Sequence, residues 1–298
     1  MKPLEYLRPE SLDDLLAMMK AHGSNARLLA GGTDLIVRMR KSPGLAEGAG
    51  EAGGGAVLID LKRVAALRSD VTRTPSGIRI GARAVITDVI ADTTIQRYFP
   101  ALIDAALVVG SVQIRNRATV AGNLCNASPA ADTPVALLAY GATVNVVGTG
   151  GARQIPLEQF FSGPGRTTLE RGELVESIDL PQPAAGTGAA FERLTRRRGV
   201  DLAIVTVCCV AASNGRVRFG LGAVAPRPLL VQEDSGILLD GRNDPAERET
   251  ALQHLLTSAR PISDLRARDD YRAAMLTVLA RRALKTATER MHAERGSA

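Results

Sequence analysis

Near its start the chain reads Arg27-Leu28-Leu29-Ala30-Gly31-Gly32-Thr33-Asp34-Leu35-Ile36. A short apolar run breaks here at a glycine pair, and a segment with helical spacing follows. A glycine pair allows positive φ and lets another group approach the main-chain amides closely. Thr33 and Asp34 are suited to cap a helix, and the free amides at a helix start attract anions such as phosphate. An ordinary turn between a strand and a helix is the alternative interpretation.

A second stretch, far along the chain, is also rich in small residues. It reads Thr119-Val120-Ala121-Gly122-Asn123-Leu124-Cys125-Asn126-Ala127-Ser128-Pro129-Ala130-Ala131-Asp132. Neither a strand nor a helix period fits it, and such a long loop inside a compact domain is typical of a binding loop. Its serine and asparagine side chains can hydrogen-bond the edge of a ligand, and Asp132 can accept from a ribose or ribityl hydroxyl. Capping of the helix that follows Pro134 is the alternative role of Asp132, and Asp34 has an equal claim to be a cap only.

The composition is that of a globular protein with two or three compact units. Of the 298 residues, 45% are hydrophobic and 23% are charged. Aromatic residues make up only 3%, which argues against an aromatic platform for nucleic acid. The net charge of +6 comes mainly from arginines at 193–198 and 260–295. That excess could serve RNA, a membrane surface or an acidic partner, and it does not choose between them.

The cysteines predict no metal site. Cys125, Cys208 and Cys209 have no repeated metal-ligand spacing, and adjacent cysteines rarely bridge each other. Free thiols are consistent with a reducing compartment. The first residues lack the apolar core of a secretory signal, and no apolar run is long enough to span a membrane. We therefore expect a cytoplasmic protein.

Residue spacing predicts α/β units followed by a smaller α+β unit. A mobile surface loop is expected over 44–55, and a domain boundary over 181–188. A turn at Ser213-Asn214-Gly215 predicts a hairpin. Helices are predicted over 11–22, 87–91, 100–109, 135–139, 246–259 and 270–287. Strands are predicted over 27–30, 56–60, 77–82, 142–148, 153–157, 174–180, 190–193, 203–210 and 216–221.

Four motifs, in order along nearly the whole chain, resemble one family. The first is Leu29–Leu35, and the second runs from Gln113 through Thr119 and Asn123 to Pro134. The others are Gly172-Glu173-Leu174-Val175 with Leu180-Pro181, and Phe191-Glu192-Arg193 with Arg196-Arg197 and Asp201-Leu202-Ala203. Together they resemble the FAD-binding subunits of molybdenum hydroxylases. That family includes the medium subunit of aerobic carbon monoxide dehydrogenase and the flavin domain of xanthine dehydrogenase.

The resemblance implies an α+β fold with two domains. Residues 1–181 would form a two-lobed FAD-binding domain of the PCMH or vanillyl-alcohol-oxidase type, with lobes at about 1–55 and 56–181. Residues 188–290 would form a smaller C-terminal α+β domain with an antiparallel sheet and helices, and 291–298 would be a tail.

The resemblance also implies a site for FAD. The two loops would converge on its pyrophosphate, Val109 and Val175 would line the ring system, and Ser128 would point at the isoalloxazine edge. Asp132 would hold a hydroxyl, and Phe191 or Arg193 would close the site from the C-terminal domain. The implied cofactor-binding residues are Leu28, Leu29, Ala30, Gly31, Gly32, Thr33, Asp34, Leu35, Val109, Thr119, Ala121, Gly122, Asn123, Ser128, Asp132, Val175 and Arg193.

This chain departs from the family pattern at three positions. Ala118 and Ala121 stand where the family often has glycine, and alanine is strained wherever positive φ is required. Either these positions have ordinary φ here or the loop has a different shape. Arg193 stands where lysine is common, and a planar guanidinium need not contact the same atoms. Arg196–Arg198 are read as a solvated or ion-paired cluster.

By resemblance, the chain is the FAD-binding electron-transfer subunit of a multi-subunit molybdenum hydroxylase. Non-covalent FAD would take electrons from 2Fe-2S clusters and pass them to NAD+, a quinone or oxygen. The molybdenum cofactor and clusters would lie on a large and a small partner subunit, in a dimer of heterotrimers. No catalytic side chain is assigned, and His22, His254 and His292 lack an acid or cysteine constellation. The alternatives are a self-sufficient FAD-dependent oxidase or reductase and, more remotely, a basic nucleic-acid-binding protein.

Overall fold

A computed structural model describes residues 4–41 and 56–296 of the chain. The predicted mobile loop at 44–55 lies outside these residues. The helices are α1 Leu12–His22, α2 Leu35–Lys41, α3 Ile86–Ala91, α4 Thr93–Tyr98, α5 Pro100–Leu107, α6 Val112–Arg115, α7 Val120–Cys125, α8 Asp132–Tyr140, α9 Leu157–Phe160, α10 Pro245–Leu256 and α11 Asp269–Gly296. The strands are β1 Glu5–Leu7, β2 Ala26–Leu29, β3 Val57–Asp60, β4 Val71–Thr74, β5 Gly77–Gly81, β6 Thr143–Gly148, β7 Gly151–Pro156, β8 Phe161–Gly163, β9 Arg166–Thr167, β10 Glu173–Pro181, β11 Thr187–Leu194, β12 Val205–Ala212, β13 Val217–Gly222 and β14 Leu229–Glu233.

The first sheet is small and parallel, with the order β1-β3-β2. All four residues of its central strand β3 are buried, as expected for a strand with a neighbour on each side. Helix α1 covers this sheet and begins where the Ser11 hydroxyl accepts from the Asp14 amide at 3.0 Å. Strand β3 lies after residue 55, so the first sheet extends to Asp60. The boundary between two lobes was predicted near residue 55.

The second sheet has five antiparallel strands in the order β4-β5-β10-β6-β7. Its central strand β10 carries a bulge between Val175 and Ser177. Helices α3 to α8 lie in the chain between β5 and β6, and their apolar residues share one core with both sheets. The segment that holds the second loop is therefore an insertion between two neighbours of β10.

The C-terminal sheet is antiparallel, with the order β11-β12-β13-β14, and helices α10 and α11 pack on one of its faces. The predicted hairpin turn at Ser213–Gly215 joins β12 to β13 and is confirmed. An α+β fold with a C-terminal antiparallel sheet and helices is likewise confirmed. Helix α11 continues to Gly296, through most of the residues assigned to a tail.

Burial of both faces of β12 explains why the sequence of this strand is apolar without alternation. Cys208 and Val210 lie in the core of the FAD-binding part of the chain, whereas Val207 and Cys209 lie in the C-terminal core. Both faces of the strand are covered, by α8 on one side and α11 on the other. A strand buried on both faces has a continuous apolar run instead of an alternating one.

Helix α8 is the element on which the two parts of the chain meet. All nine of its residues are buried, and it ends at Gly141, which has φ +79°. On the side of the C-terminal sheet, the backbone of β13 touches this helix: a Cβ added to Gly220 would lie 2.0 Å from the Val135 carbonyl oxygen. Only glycine permits an approach this close.

The contact at Gly220 predicts the effect of a single methyl group. Gly220→Ala should lower the free energy of unfolding by about 2 kcal/mol, because overpacking against a main-chain carbonyl has no flexible neighbour to relieve it. Thermal and urea unfolding measure this change. Gly163→Ala is the matched control, since nothing lies within 4 Å of its added Cβ. Equal stability of the two variants would contradict the contact.

Candidate functional site

The two glycine-bearing loops meet at one cavity, which we call the loop cavity. Its volume is about 250 Å³, and it lies between the β2–α2 turn and the segment from α5 to α7. One side is apolar, and the other carries amide, hydroxyl and guanidinium groups. The lining residues are Leu28, Ala30, Gly31, Gly32, Thr33, Asp34, Leu35, Arg38, Val109, Ile114, Ala118, Thr119, Gly122, Asn123, Cys125 and Asn126.

In the first loop, both glycines are required by the geometry. A Cβ added to Gly31 would lie 2.1 Å from the Arg117 carbonyl oxygen, so the main chains of the two loops are in contact here. Gly32 has φ +76°, a conformation that other residues rarely adopt. The result is a stretch of bare main chain beside the cavity, which a ligand can approach closely.

The second loop is partly helical, so the prediction that no helix period fits it was wrong. Helix α7 occupies Val120–Cys125, and the Thr119 hydroxyl caps it by accepting from the Gly122 amide at 3.0 Å. Local spacing concealed this helix because its residues are small and it is only six residues long. Ala118 and Ala121 both have negative φ, so alanine is unstrained at these positions.

Three polar side chains of the loop cavity have hydrogen-bonding groups that could serve a ligand. The Asn123 Oδ1 accepts from the Thr133 hydroxyl at 2.8 Å, which leaves the amide nitrogen of Asn123 as a donor. The Oδ1 of Asn126 is buried and has no hydrogen-bond partner among the described residues. Arg38 donates to the Asn126 carbonyl at 3.3 Å, and it forms no ion pair with a described carboxylate. An unsatisfied buried acceptor calls for a ligand or a water.

Six of the residues predicted for the site do not line the loop cavity. Leu29 lies on β2 beside it, and Ala121 and Val175 are buried in the adjoining core. Ser128 accepts from the Ala130 amide at 3.3 Å and lines a separate cavity of about 320 Å³. Asp132 and Arg193, the remaining two, pair with each other.

The Asp132–Arg193 pair joins the start of α8 to strand β11. The Arg193 Nε donates to Asp132 Oδ1 at 2.9 Å, and its Nη2 donates to the main-chain carbonyl of Asp201. The two side chains are 8% and 11% exposed, so both charges are withdrawn from water. Burial raises the pKa of Asp132 from its ordinary 3.8 to about 7, and the guanidinium opposes this rise. Ala131 occupies the cap position of α8, so Asp132 is not its cap.

Five lining residues were not among the predicted site residues: Arg38, Ile114, Ala118, Cys125 and Asn126. Arg38 lies four residues after Asp34. Helical spacing continued past the first loop places Asp34 and Arg38 on the same face of the helix. Asn126 is one of the asparagines of the second loop, and Ala118 is one of the departures from the family pattern. Ile114 and Cys125 had no local signal, because their approach to the cavity depends on how α6 and α7 pack.

The basic cluster and the histidines lie outside the loop cavity. Arg196 and Arg197 lie 3.7 Å and 4.0 Å from the carboxylate of Asp201, which agrees with the ion-paired interpretation. None of His22, His254 and His292 lines the cavity. Over residues 4–41 and 56–296 there is no group of three His, Cys, Asp or Glu side chains that could hold a metal ion.

The family follows from direct comparison. Residues 2–183 match the FAD binding domain in molybdopterin dehydrogenase, and residues 189–287 match the CO dehydrogenase flavoprotein C-terminal domain. The chain belongs to the FAD-binding subunits of the molybdenum hydroxylases. The resemblance, the oxidoreductase class and the FAD-binding fold inferred from sequence are therefore confirmed.

Relatives of this FAD-binding subunit match it over almost its full length. The carbon monoxide dehydrogenase medium chain of Hydrogenophaga pseudoflava is 32% identical, with 96% of this chain and 97% of the relative covered. The xanthine dehydrogenase FAD-binding subunit of Escherichia coli O157:H7 is 28% identical, with 95% of each covered. A chain of reconstituted CO dehydrogenase from Oligotropha carboxidovorans superimposes with a TM-score of 0.86 at 30% identity, covering 97% and 98%.

The subunit has no described helix with the length and apolar character needed to cross a membrane.

The Asp132–Arg193 pair predicts a pH-dependent stability difference. Because the folded-state pKa of Asp132 is raised, its protonation favours folding at low pH, and this contribution is lost as the pH rises from about 4 through about 7. Arg193→Met removes the charge that offsets the carboxylate. It should cost about 3 kcal/mol of unfolding free energy at pH 8 and clearly less at pH 5.

Urea unfolding at the two pH values measures this difference. The double variant Asp132→Asn with Arg193→Met is the control, since it carries neither charge and should lack the pH dependence. An equal cost of Arg193→Met at both pH values would show that the carboxylate is not the group affected.

Proposed function

We propose that this subunit holds FAD non-covalently at the loop cavity and carries electrons within a multi-subunit molybdenum hydroxylase. The observation that supports this most is the meeting of two bare main-chain segments, at Gly31–Gly32 and at Gly122, beside one cavity. Main-chain amides and the Arg38 guanidinium suit the pyrophosphate of a dinucleotide. Leu28, Val109 and Ile114 offer an apolar side to a ring system.

The donors and acceptors of the cavity fit such a cofactor. Asn123 keeps its amide nitrogen for a ligand, and the buried Oδ1 of Asn126 requires a donor such as a cofactor hydroxyl. Leu29, Ala121 and Val175 pack in or beside the adjoining core, Asp132 and Arg193 pair with each other, and Ser128 lines a separate cavity. When bound, FAD supplies the redox chemistry, and this chain supplies binding, orientation and hydrogen bonds.

The cavity favours an electron-transfer role over a self-sufficient oxidase. Its titratable side chains are Asp34, Arg38 and Cys125. Asp34 and Arg38 are exposed, and burial of the Cys125 sulfur raises the pKa of its thiol to about 12, which keeps the thiol protonated at neutral pH. An oxidase that acts on its own substrate requires a positioned acid or base, which this lining does not offer. We therefore infer that electrons reach FAD from 2Fe-2S clusters of a small partner subunit, with the molybdenum cofactor on a large subunit.

The proposal also includes the final electron acceptor and the assembly of the subunits. NAD+, a quinone or oxygen would take the electrons from FAD, and the three chains would assemble as a dimer of heterotrimers. The subunit names of the relatives support an assembly of several chains. Size measurement of the complex purified from its native host tests the assembly, and steady-state reduction of each acceptor tests the last electron transfer.

An absorbance spectrum tests the cofactor itself. The subunit purified with its partners should show flavin bands and release FAD on heat denaturation, because the proposed binding is non-covalent. Iron–sulfur absorbance and molybdenum should occur only in the complex. A folded complex without FAD would overturn the proposal.

The thiol of Cys125 reports on occupancy of the cavity. Cys125 is exposed and lines the loop cavity, whereas Cys208 and Cys209 are buried. One thiol per folded chain should therefore react before the other two with a disulfide reagent and give the fast phase of labelling. Because burial of its sulfur raises the pKa of the Cys125 thiol to about 12, the reaction is followed in alkaline buffer. Saturating FAD should slow this phase at least tenfold. Cys125→Ser should abolish the fast phase. An unchanged rate with bound FAD would place the cofactor elsewhere.

A further inference from the structure

Two hydrogen-bonded contacts end on neighbouring residues in the first turn of α8. On one side, Arg193 of β11 donates to Asp132 at 2.9 Å. On the other side, the hydroxyl of Thr133 donates to the Oδ1 of Asn123 at 2.8 Å. Asn123 belongs to α7 and lines the loop cavity. The C-terminal sheet is thus connected to the cavity by two side-chain hydrogen bonds, which the main chain of α8 joins between Asp132 and Thr133.

The members of this series are firmly held. Asp132 and Thr133 are 6% and 0% exposed, and α8 is buried along its whole length. Arg193 also donates to the main-chain carbonyl of Asp201, so one planar guanidinium is hydrogen-bonded both to α8 and to the loop after β11. Because buried polar groups that lose one partner pay the full cost of desolvation, none of these side chains can turn away freely.

We propose that Arg193, Asp132, Thr133 and Asn123 form a relay by which the C-terminal domain positions Asn123 for the cofactor. The relay rests on the proposed function, since it assumes that FAD occupies the loop cavity. Within it, Arg193 and Asp132 are positioning residues: Arg193 holds Asp132 in the first turn of α8, and the next residue, Thr133, holds Asn123. The amide nitrogen of Asn123 is then aimed by a contact that begins in a different domain.

The relay accounts for two features that direct contact with the cofactor leaves unexplained. Asp132 and Arg193 satisfy each other and do not line the cavity, although their motifs belong to the cofactor site by resemblance. The Asn123 side chain also has a fixed orientation, because its oxygen already has a donor. Loss of Arg193 would free the first turn of α8 and, with it, the hydrogen bond from Thr133.

A double-mutant cycle on FAD release tests the relay. The complex with bound FAD is diluted at a temperature below the unfolding temperature of every variant. The increase in flavin fluorescence with time then gives the rate of FAD release. Arg193→Met and Thr133→Val should each speed release about tenfold, the effect of one lost buried hydrogen bond to a ligand-positioning group. The double variant should be no faster than the faster single variant, because both substitutions break the same series.

Two further variants separate the relay from a general loss of stability. Arg193→Lys keeps the charge but not the fork, so its release rate should lie between those of the wild type and Arg193→Met. Arg216→Met removes an exposed ion pair with Asp234 at 2.6 Å in the same domain and should leave the rate unchanged. If Arg193→Met does not fold, Arg193→Lys takes its place in the cycle.

The outcomes are distinct. Release rates whose effects multiply in the double variant would overturn the relay, as would single variants that release FAD like the wild type. If the folded wild-type complex holds no FAD, the proposed function fails before the relay is reached.

Discussion

The burial of α8 on every side is the constraint on which the rest of the structure depends. A helix whose nine residues are all buried must be covered from every direction. Helices α5 and α7 cover it from the FAD-binding part of the chain, and strands β12 and β13 cover it from the C-terminal sheet. Neither part alone could remove this helix from water, so the two domains share it. Gly220 lets the sheet approach closely enough to do so.

The same helix carries the groups that connect the domains to the cofactor site. Its first turn contains Asp132 and Thr133, both buried and both hydrogen-bonded to other elements. Packing that serves stability therefore also sets the position of α7 and of the cavity wall. A parallel arrangement exists in the first loop, where Gly31 brings the main chain of that loop against the main chain of Arg117. At Gly220 and at Gly31, the absence of a side chain lets two main-chain segments come into contact.

Sequence patterns predicted most of the regular elements because those elements are long and periodic. Helix α1 has its capping serine and acidic first turn, and β10 its alternation before Pro181. Helix α7 was missed because it is short, rich in small residues and stabilised by its neighbours and by Thr119. The extension of α11 to Gly296 was missed because its last turns have a polar sequence with no stop signal before Gly296.

By itself, the sequence determined the chemistry available to this protein: which residues are small, which can donate, and in which order the family motifs occur. It also determined that Gly31 and Gly32 would permit close approach by a ligand. Only the tertiary structure decided which of these residues meet. Asp132 and Arg193 lie 61 residues apart in the chain, and their contact results from the packing of the C-terminal sheet against α8. Val175 is buried in the core and Asn126 faces the cavity for the same reason. Local periodicity describes one element at a time, whereas a site is made by the distances between elements.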